Sequence, residues 1–219
     1  MTQFLKQSVN IGDIVRIWTP IIIGGIGVSA LLGWVFEQDL LIRYFNDHVS
    51  IKPYTAISAV LASLIIITKG SAKKWLSISL LVIMGRLILG YLEIIISGHA
   101  ITATQIESVS DNLPSVATII MYSLMVYCTQ CSTCALRGGR IILWLSAIAM
   151  VGHIFGCSLM YWYVPSMSSG MSAPTALIGI HIGFWMTHGY NNTLLEAYEI
   201  LHLNEDKSVG SKERELEYM

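Results

Sequence analysis

The side chains most able to do chemistry in this sequence are polar residues set inside long apolar runs. Arg86 lies about eleven residues into a run over 75–97, His153 about twelve into a run over 141–163, and His181 about nine from the end of a run over 174–190; at 1.5 Å per residue, helices through these runs put all three at similar depth. An arginine near the middle of a bilayer costs at least about 2.5–3.5 kcal/mol on insertion scales, so Arg86 is expected to face a bundle interior or water. Glu93 follows on the same helical face. Side chains lean toward their own helix N-terminus, so Arg86 should lean away from Glu93, which favours a polar or hydrated cavity over a direct pair. That cavity could be an anionic-ligand or proton-linked site, or the two charges could be a structural polar clamp. For His153 and His181 three chemistries are open: a polar ligand pocket, a bis-histidine haem or metal site, or hydrogen bonding across helices for packing. Trp34, Tyr91 and Trp185 are the aromatics that could line the same pocket. His188, His48 and His99 fall near the ends of the runs, where solvation is the default.

Cys128, Cys131 and Cys134 form a C-x2-C-x2-C pattern. A thiolate site for zinc or an iron–sulfur cluster needs four ligands, and the remaining cysteine, Cys157, belongs to another part of the chain. Acylation at a membrane edge and plain small-residue packing are the other readings. There is no nucleophile elbow, P-loop, H-E-x-x-H or pair of catalytic carboxylates, so no enzymatic activity is expected, and no cofactor beyond the haem alternative.

The elements that must position these residues follow from composition. The chain has 219 residues, 54% hydrophobic and only 12% charged, against roughly 25% charged in an average soluble domain. A net charge of −1 gives no reason to expect nucleic-acid binding. Apolar runs at 17–36, 54–69, 75–97, 114–131, 141–163 and 174–190 predict an all-α polytopic membrane protein with six transmembrane helices. The second, fourth and sixth runs are short and carry several polar residues. The polar start, with Lys6, Asp13 and Arg16 before a run long enough to span, does not read as a cleavable signal peptide. Lys6, Arg16, Lys69, Lys73, Lys74, Arg137, Arg140, Lys207, Lys212 and Arg214 fall on one side of such a topology, and Arg43 and Lys52 on the other. The bias predicts both termini in the cytoplasm.

The chain also predicts an internal repeat. Pro53, Pro114 and Pro174 recur at intervals of about 60 residues, each expected to begin an even-numbered helix, where a missing N–H is tolerated. Gly33, Gly90 and Gly156 precede them in the odd helices. The unit is a helical hairpin, repeated over about 17–71, 75–137 and 141–192 within a transmembrane domain at 1–192, with a short cytoplasmic tail at 193–219. Glu37, Asp39, Arg43, Asp47 and His48 alternate with Leu40, Leu41, Ile42, Tyr44 and Phe45, which reads as an amphipathic segment at the outer interface. Tyr161, Trp162 and Tyr163 read as an aromatic anchor at that surface. Gly25, Ser29 and Gly33, at four-residue steps, form a small-residue ridge suited to close helix contact, either within one copy of the chain or at an oligomer interface. After the last run, Asn192 is an N-cap candidate for an amphipathic helix through 194–201.

Gly33-Trp34 with Val49-Ser50-Ile51-Lys52-Pro53-Tyr54-Thr55-Ala56, and Gly170-Met171-Ser172-Ala173-Pro174-Thr175-Ala176-Leu177, resemble a pattern of the MASE-type N-terminal membrane sensor domains of bacterial histidine kinases and diguanylate cyclases. The resemblance covers residues 17–192. It implies a bacterial inner-membrane sensory module. Family members continue into PAS, kinase or cyclase domains, whereas here 193–219 follow, so the output partner is expected to be a separate chain or the protein to act alone. The leading expectation is a membrane module that detects a small amphipathic molecule or membrane state and signals to a cytoplasmic protein partner. The alternatives are a channel- or transporter-like homo-oligomer and a structural subunit of a membrane complex.

Overall fold

In a computed structural model, residues 11–43, 50–97, 113–161 and 170–189 are described. Those residues form seven α-helices and no strand: α1 (Ile11–Val35), α2 (Asp39–Arg43), α3 (Pro53–Ile67), α4 (Gly70–Ser97), α5 (Val116–Gln130), α6 (Ser132–Phe155) and α7 (Ala173–Phe184). A 3-10 turn (Ser158–Met160) follows α6, and α7 runs on into a π-helical turn, Trp185–Gly189.

Three helices have the length and composition to cross a membrane: Ile11–Val35, Gly70–Ile96 and Cys134–Phe155, of 25, 27 and 22 residues. About 20 apolar residues are needed for this. Their outward faces are strongly apolar. Trp75 (68%), Val82 (66%), Trp144 (70%) and Ile154 (69%) are exposed, a surface suited to hydrocarbon rather than water. The shorter helices hold the inside. On α3 the inward face is Thr55, Ala56, Ser58, Ala59, Ala62 and Ile65, and most of α5 and α7 is buried. Each of the six longer helices packs on the next (α1 on α3, α3 on α4, α4 on α5, α5 on α6, α6 on α7), and α7 returns to α1, closing a ring. Tyr122, fully buried on α5, donates its hydroxyl to the Thr55 carbonyl of α3 at 3.4 Å across that interior.

Local chemistry sets the starts of the short helices. Ser115 and Ser172 cap α5 and α7, each accepting from the backbone N–H three residues on, at Thr118 and Thr175. Each serine hydroxyl also meets that threonine's hydroxyl at 2.7 Å. Such side-chain acceptors satisfy donors that have no partner within the helix. Pro53 opens α3 after Lys52, which makes no side-chain cap, and Pro174 lies in the first turn of α7. Pro114 differs from the expectation: it precedes the Ser115 cap, and its carbonyl accepts a short hydrogen bond from the Tyr91 hydroxyl.

Several other expectations are corrected. The run at 141–163 is not one helix. It stops at Phe155 because Gly156 takes φ +66°, a left-handed C-cap. Within this chain, the Gly25 ridge is not the one on which α1 packs against α3. A side chain at Gly25 would meet nothing, whereas Cβ atoms at Gly24 and Gly27 would strike Ser63 Oγ at 2.8 Å and the Ala56 carbonyl at 2.9 Å. One residue is 100° of helix rotation, so adjacent glycines face different surroundings. Gly33 packs instead under Leu41 and Ile42, where α2 folds back after a turn with Glu37 at φ +54°. Of the segment read as amphipathic, Ile42 is buried and Leu40 exposed, while residues 44–49 lie outside the described residues. Trp162, Tyr163, His99, Asn192 and the stretch 194–201 lie outside them too.

Candidate functional site

The residues singled out from sequence do not gather at one place. Arg86 Nη1 and Glu93 Oε1 lie 3.4 Å apart on α4, with side chains 64% and 69% exposed. They form a direct pair on the outer face of the bundle, where an interior position and no direct contact were expected. The two share a helical face, and the long guanidinium arm reaches along it despite its initial tilt toward the N-terminus.

The two histidines are at different depths. Gly179 of α7 packs against Ser146 of α6, and Gly183 against Leu143 and Gly139, which fixes an antiparallel register. On that register His153 falls opposite Met171, and its Nε2 is 2.7 Å from the Met171 carbonyl. A carbonyl only accepts, so Nε2 carries the hydrogen and donates it. The ring stacks on Tyr161 at 4.1 Å between centroids. His181 falls near Leu143 and Trp144, roughly 13 Å away along the axis at 1.5 Å per residue. The similar depth inferred from run lengths fails because α6 ends at Phe155, which places His153 in its last turn. A haem iron bound through Nε2 of His153 would have to displace the Met171 bond. Among the described residues, no three His, Cys, Asp or Glu side chains are grouped to hold a metal ion.

Three of the four cysteines stay near one another and Cys157 is apart. Cys128 is buried against Gly138, the Cys134 thiol lies 3.1 Å from that of Cys131 at the α5–α6 junction, and Cys157 follows α6 at the other end. None of the four forms a disulfide.

The three candidate aromatics line three different cavities. Trp34 borders a recess of about 270 Å³ with Glu37, Asp39, Ile42 and Ser50, and its indole N–H donates to the Ile51 carbonyl at 2.9 Å. Tyr91 borders a lateral groove of about 530 Å³ between α4 and α5, lined almost wholly by apolar side chains such as Ile88, Leu92, Ile119 and Leu124. Trp185 borders the largest of the three, about 690 Å³, with Arg16, Ile17, Pro20 and Ile21 of α1, Ser63, Ile66 and Ile67 of α3, and Thr68, Lys69, Gly70 and Lys73.

That last cavity has the most chemistry, and its construction is local. The Ser63 hydroxyl donates to the Pro20 carbonyl at 2.8 Å, clamping α1 to α3. Thr68 ends α3, with its N–H and hydroxyl both bonded to the Leu64 carbonyl. Gly70, at φ +65°, then turns the chain directly into α4, a conformation that costs an L-residue strain. The tight turn brings Lys69 and Lys73 to the same cavity as Arg16, more than fifty positions earlier in sequence. Trp185 closes the wall from the π-helical turn, which also touches α1. Both lining hydroxyls are engaged with carbonyls, and the charged part of the lining is Arg16, Lys69 and Lys73. Among the described residues no carboxylate lines the cavity, and Asp13, one turn before Arg16, is outside it. Sequence reasoning used Arg16, Lys69 and Lys73 as markers of orientation and did not assemble them. The one signal for their meeting was the Lys69-Gly70 step between two apolar runs. No family model, curated protein or solved structure matches this chain.

Proposed function

We propose that this chain is a six-span helical membrane module of three hairpins that binds a small amphipathic molecule between its helices and relays binding to a cytoplasmic partner. The cavity of about 690 Å³ carries the reading, because it joins an apolar wall to cations and ends on Trp185. Trp185 belongs to the π-helical turn that leads out of α7 toward the C-terminal segment. A ligand that seats differently against the two packings of that turn shifts the population between them. The one-sided Lys and Arg distribution supports placing the cavity at the cytoplasmic surface. The likeness to MASE-type sensor domains supports a sensory role, with the output on a separate protein.

The test is purification of the tagged chain from native membranes in mild detergent, with mass spectrometry of everything that accompanies it. A retained amphiphile together with a cytoplasmic output protein is the expected result. A lone homo-oligomer that conducts ions in liposomes would replace this reading with a channel.

The exposed Arg86–Glu93 pair tests the spanning arrangement separately. Within hydrocarbon, Arg86→Leu breaks the ion pair and leaves a lone carboxylate, which is expected to cost about 3–5 kcal/mol where the pair is out of water. The double variant Arg86→Leu/Glu93→Leu should recover most of that loss. A double-mutant cycle of unfolding in lipid nanodiscs measures the coupling. Additive, near-zero effects would mean that the pair sits in water and that α4 does not span there.

A further inference from the structure

We infer that Cys131 and Cys134, at the junction of α5 and α6, form a redox-active dithiol that closes to a disulfide by exchange with a low-molecular-weight disulfide. The pairing follows from how α6 starts. Cys131 is its N-cap, in extended conformation at φ −126° and ψ 102°. An N-cap side chain folds back over the first turn, toward the second and third helical residues, and the third residue of α6 is Cys134. The Cys134 N–H donates to the Cys131 carbonyl at 3.0 Å and closes the turn, and the two sulfurs lie 3.1 Å apart. A disulfide is about 2.0 Å long, so the sulfurs have only about 1 Å to approach. Both residues are partly exposed, which gives a soluble oxidant access to them. Cys128, one turn earlier, does not share that access: it is 1% exposed, and its sulfur packs against Gly138. Cys157 lies beyond the other end of α6. A metal ion would need further ligands, and none are grouped for one among the described residues.

The exchange runs in two steps, written here for glutathione disulfide. The thiolate of one cysteine attacks a glutathione sulfur, which forms a mixed disulfide and expels one glutathione thiolate. The thiolate of the other cysteine attacks the protein sulfur of that mixed disulfide, which forms the Cys131–Cys134 bond and expels the second glutathione thiolate. The two cysteine protons pass through solvent to the expelled thiolates. Two electrons leave the cysteine pair and reduce one glutathione disulfide to two glutathiones. The second step is intramolecular and within one turn of chain, so it outruns capture of a second glutathione.

The test uses the full chain in nanodiscs, with Cys128→Ser/Cys157→Ser as a background that keeps only the pair. Samples are equilibrated in glutathione redox buffers, quenched in acid, alkylated with a maleimide and weighed. Both thiols should be lost together in one two-electron transition, with no glutathione attached. Adding Cys131→Ser or Cys134→Ser should halt the reaction at the mixed disulfide and raise the glutathione disulfide needed for half-reaction by roughly tenfold or more. Fragment mass mapping of the alkylated parent chain gives the same assignment, should the background disturb folding. A bond from Cys128 to either cysteine would overturn the assignment. Thiols that stay open to alkylation in excess glutathione disulfide, or that each keep a glutathione, would overturn the dithiol. An acyl chain on Cys131 or Cys134 in protein from native membranes would replace it with lipidation.

Discussion

Gly183→Ala is expected to loosen α6 from α7 and to lower the unfolding temperature of the purified chain by several degrees. A Cβ placed on Gly183 would lie 2.8 Å from the Leu143 Cβ, 2.9 Å from the Leu143 Cα and 2.9 Å from the Gly139 carbonyl oxygen. Two of those atoms are backbone and cannot rotate aside, so the helices must part. Overpacking of this kind typically costs about 1–3 kcal/mol. In lipid the loss is felt more directly, because apolar helices gain little from leaving one apolar environment for another, and close van der Waals contact is what holds them together. The same contact recurs one turn along the register, where Gly139 lies under Met186 and Thr187. Gly25→Ala is the natural comparison, since nothing lies within 4 Å of its Cβ position. Replacing a mid-helix glycine there should leave stability unchanged or raise it by about 0.5–1 kcal/mol. Thermal unfolding of both variants in one detergent decides the matter. Equal behaviour would mean that the small-residue contact does not hold α6 to α7.

This contrast also marks what was legible in the sequence. Apolar runs and helix-starting residues announce helices because their causes are local. Pro53 and Pro174 stand in first turns as expected, while the Ser115 and Ser172 caps, equally local, were not read from the sequence. Which face of a helix meets its neighbour is set by contacts with distant chain. Gly24 and Gly25 look alike in a composition window, yet only Gly24 would meet α3. The break at Gly156 was hidden because Cys157, Leu159 and Met160 continue the apolar character past it, and that break moved His153 toward the end of the bundle. The cavity was the least legible feature. Arg16, Lys69 and Lys73 were read only for the side of a membrane they would favour, which depends on each charge alone. Their meeting depends on the Gly70 turn and the Ser63–Pro20 clamp, neither of which any single residue announces. Pairing of Arg86 with Glu93 was misjudged for a related reason: side-chain tilt was weighed, while the reach of the guanidinium arm was not.

His153→Leu is expected to destabilise the end of the bundle farthest from Trp185 while sparing ligand binding at the basic cavity. The ring is buried, donates to the Met171 carbonyl at 2.7 Å and stacks on Tyr161. Met171 is itself fully buried, and its N–H donates to the Tyr161 carbonyl. The histidine thus ties the last turn of α6 to the segment that enters α7. Leucine keeps apolar bulk but removes the donor, and a buried carbonyl left without its partner costs about 1–3 kcal/mol. Loss of the ring stack adds roughly 0.5–1.5 kcal/mol. His153→Gln retains an N–H donor and should recover part of the deficit, an outcome that a purely steric role would not produce. Unfolding in detergent reads the stability, and the amphiphile retained through purification reads the binding. The geometry separates the two: Met171 and Trp185 stand at opposite ends of one continuous helical segment. A variant that folds as stably as the parent but no longer binds amphiphile would move the site to the histidine and end the claim that the basic cavity is where the ligand sits. A variant that is less stable, binds normally and is partly rescued by glutamine would make His153 a fastener of the bundle, with ligand recognition left to Arg16, Lys69 and Lys73.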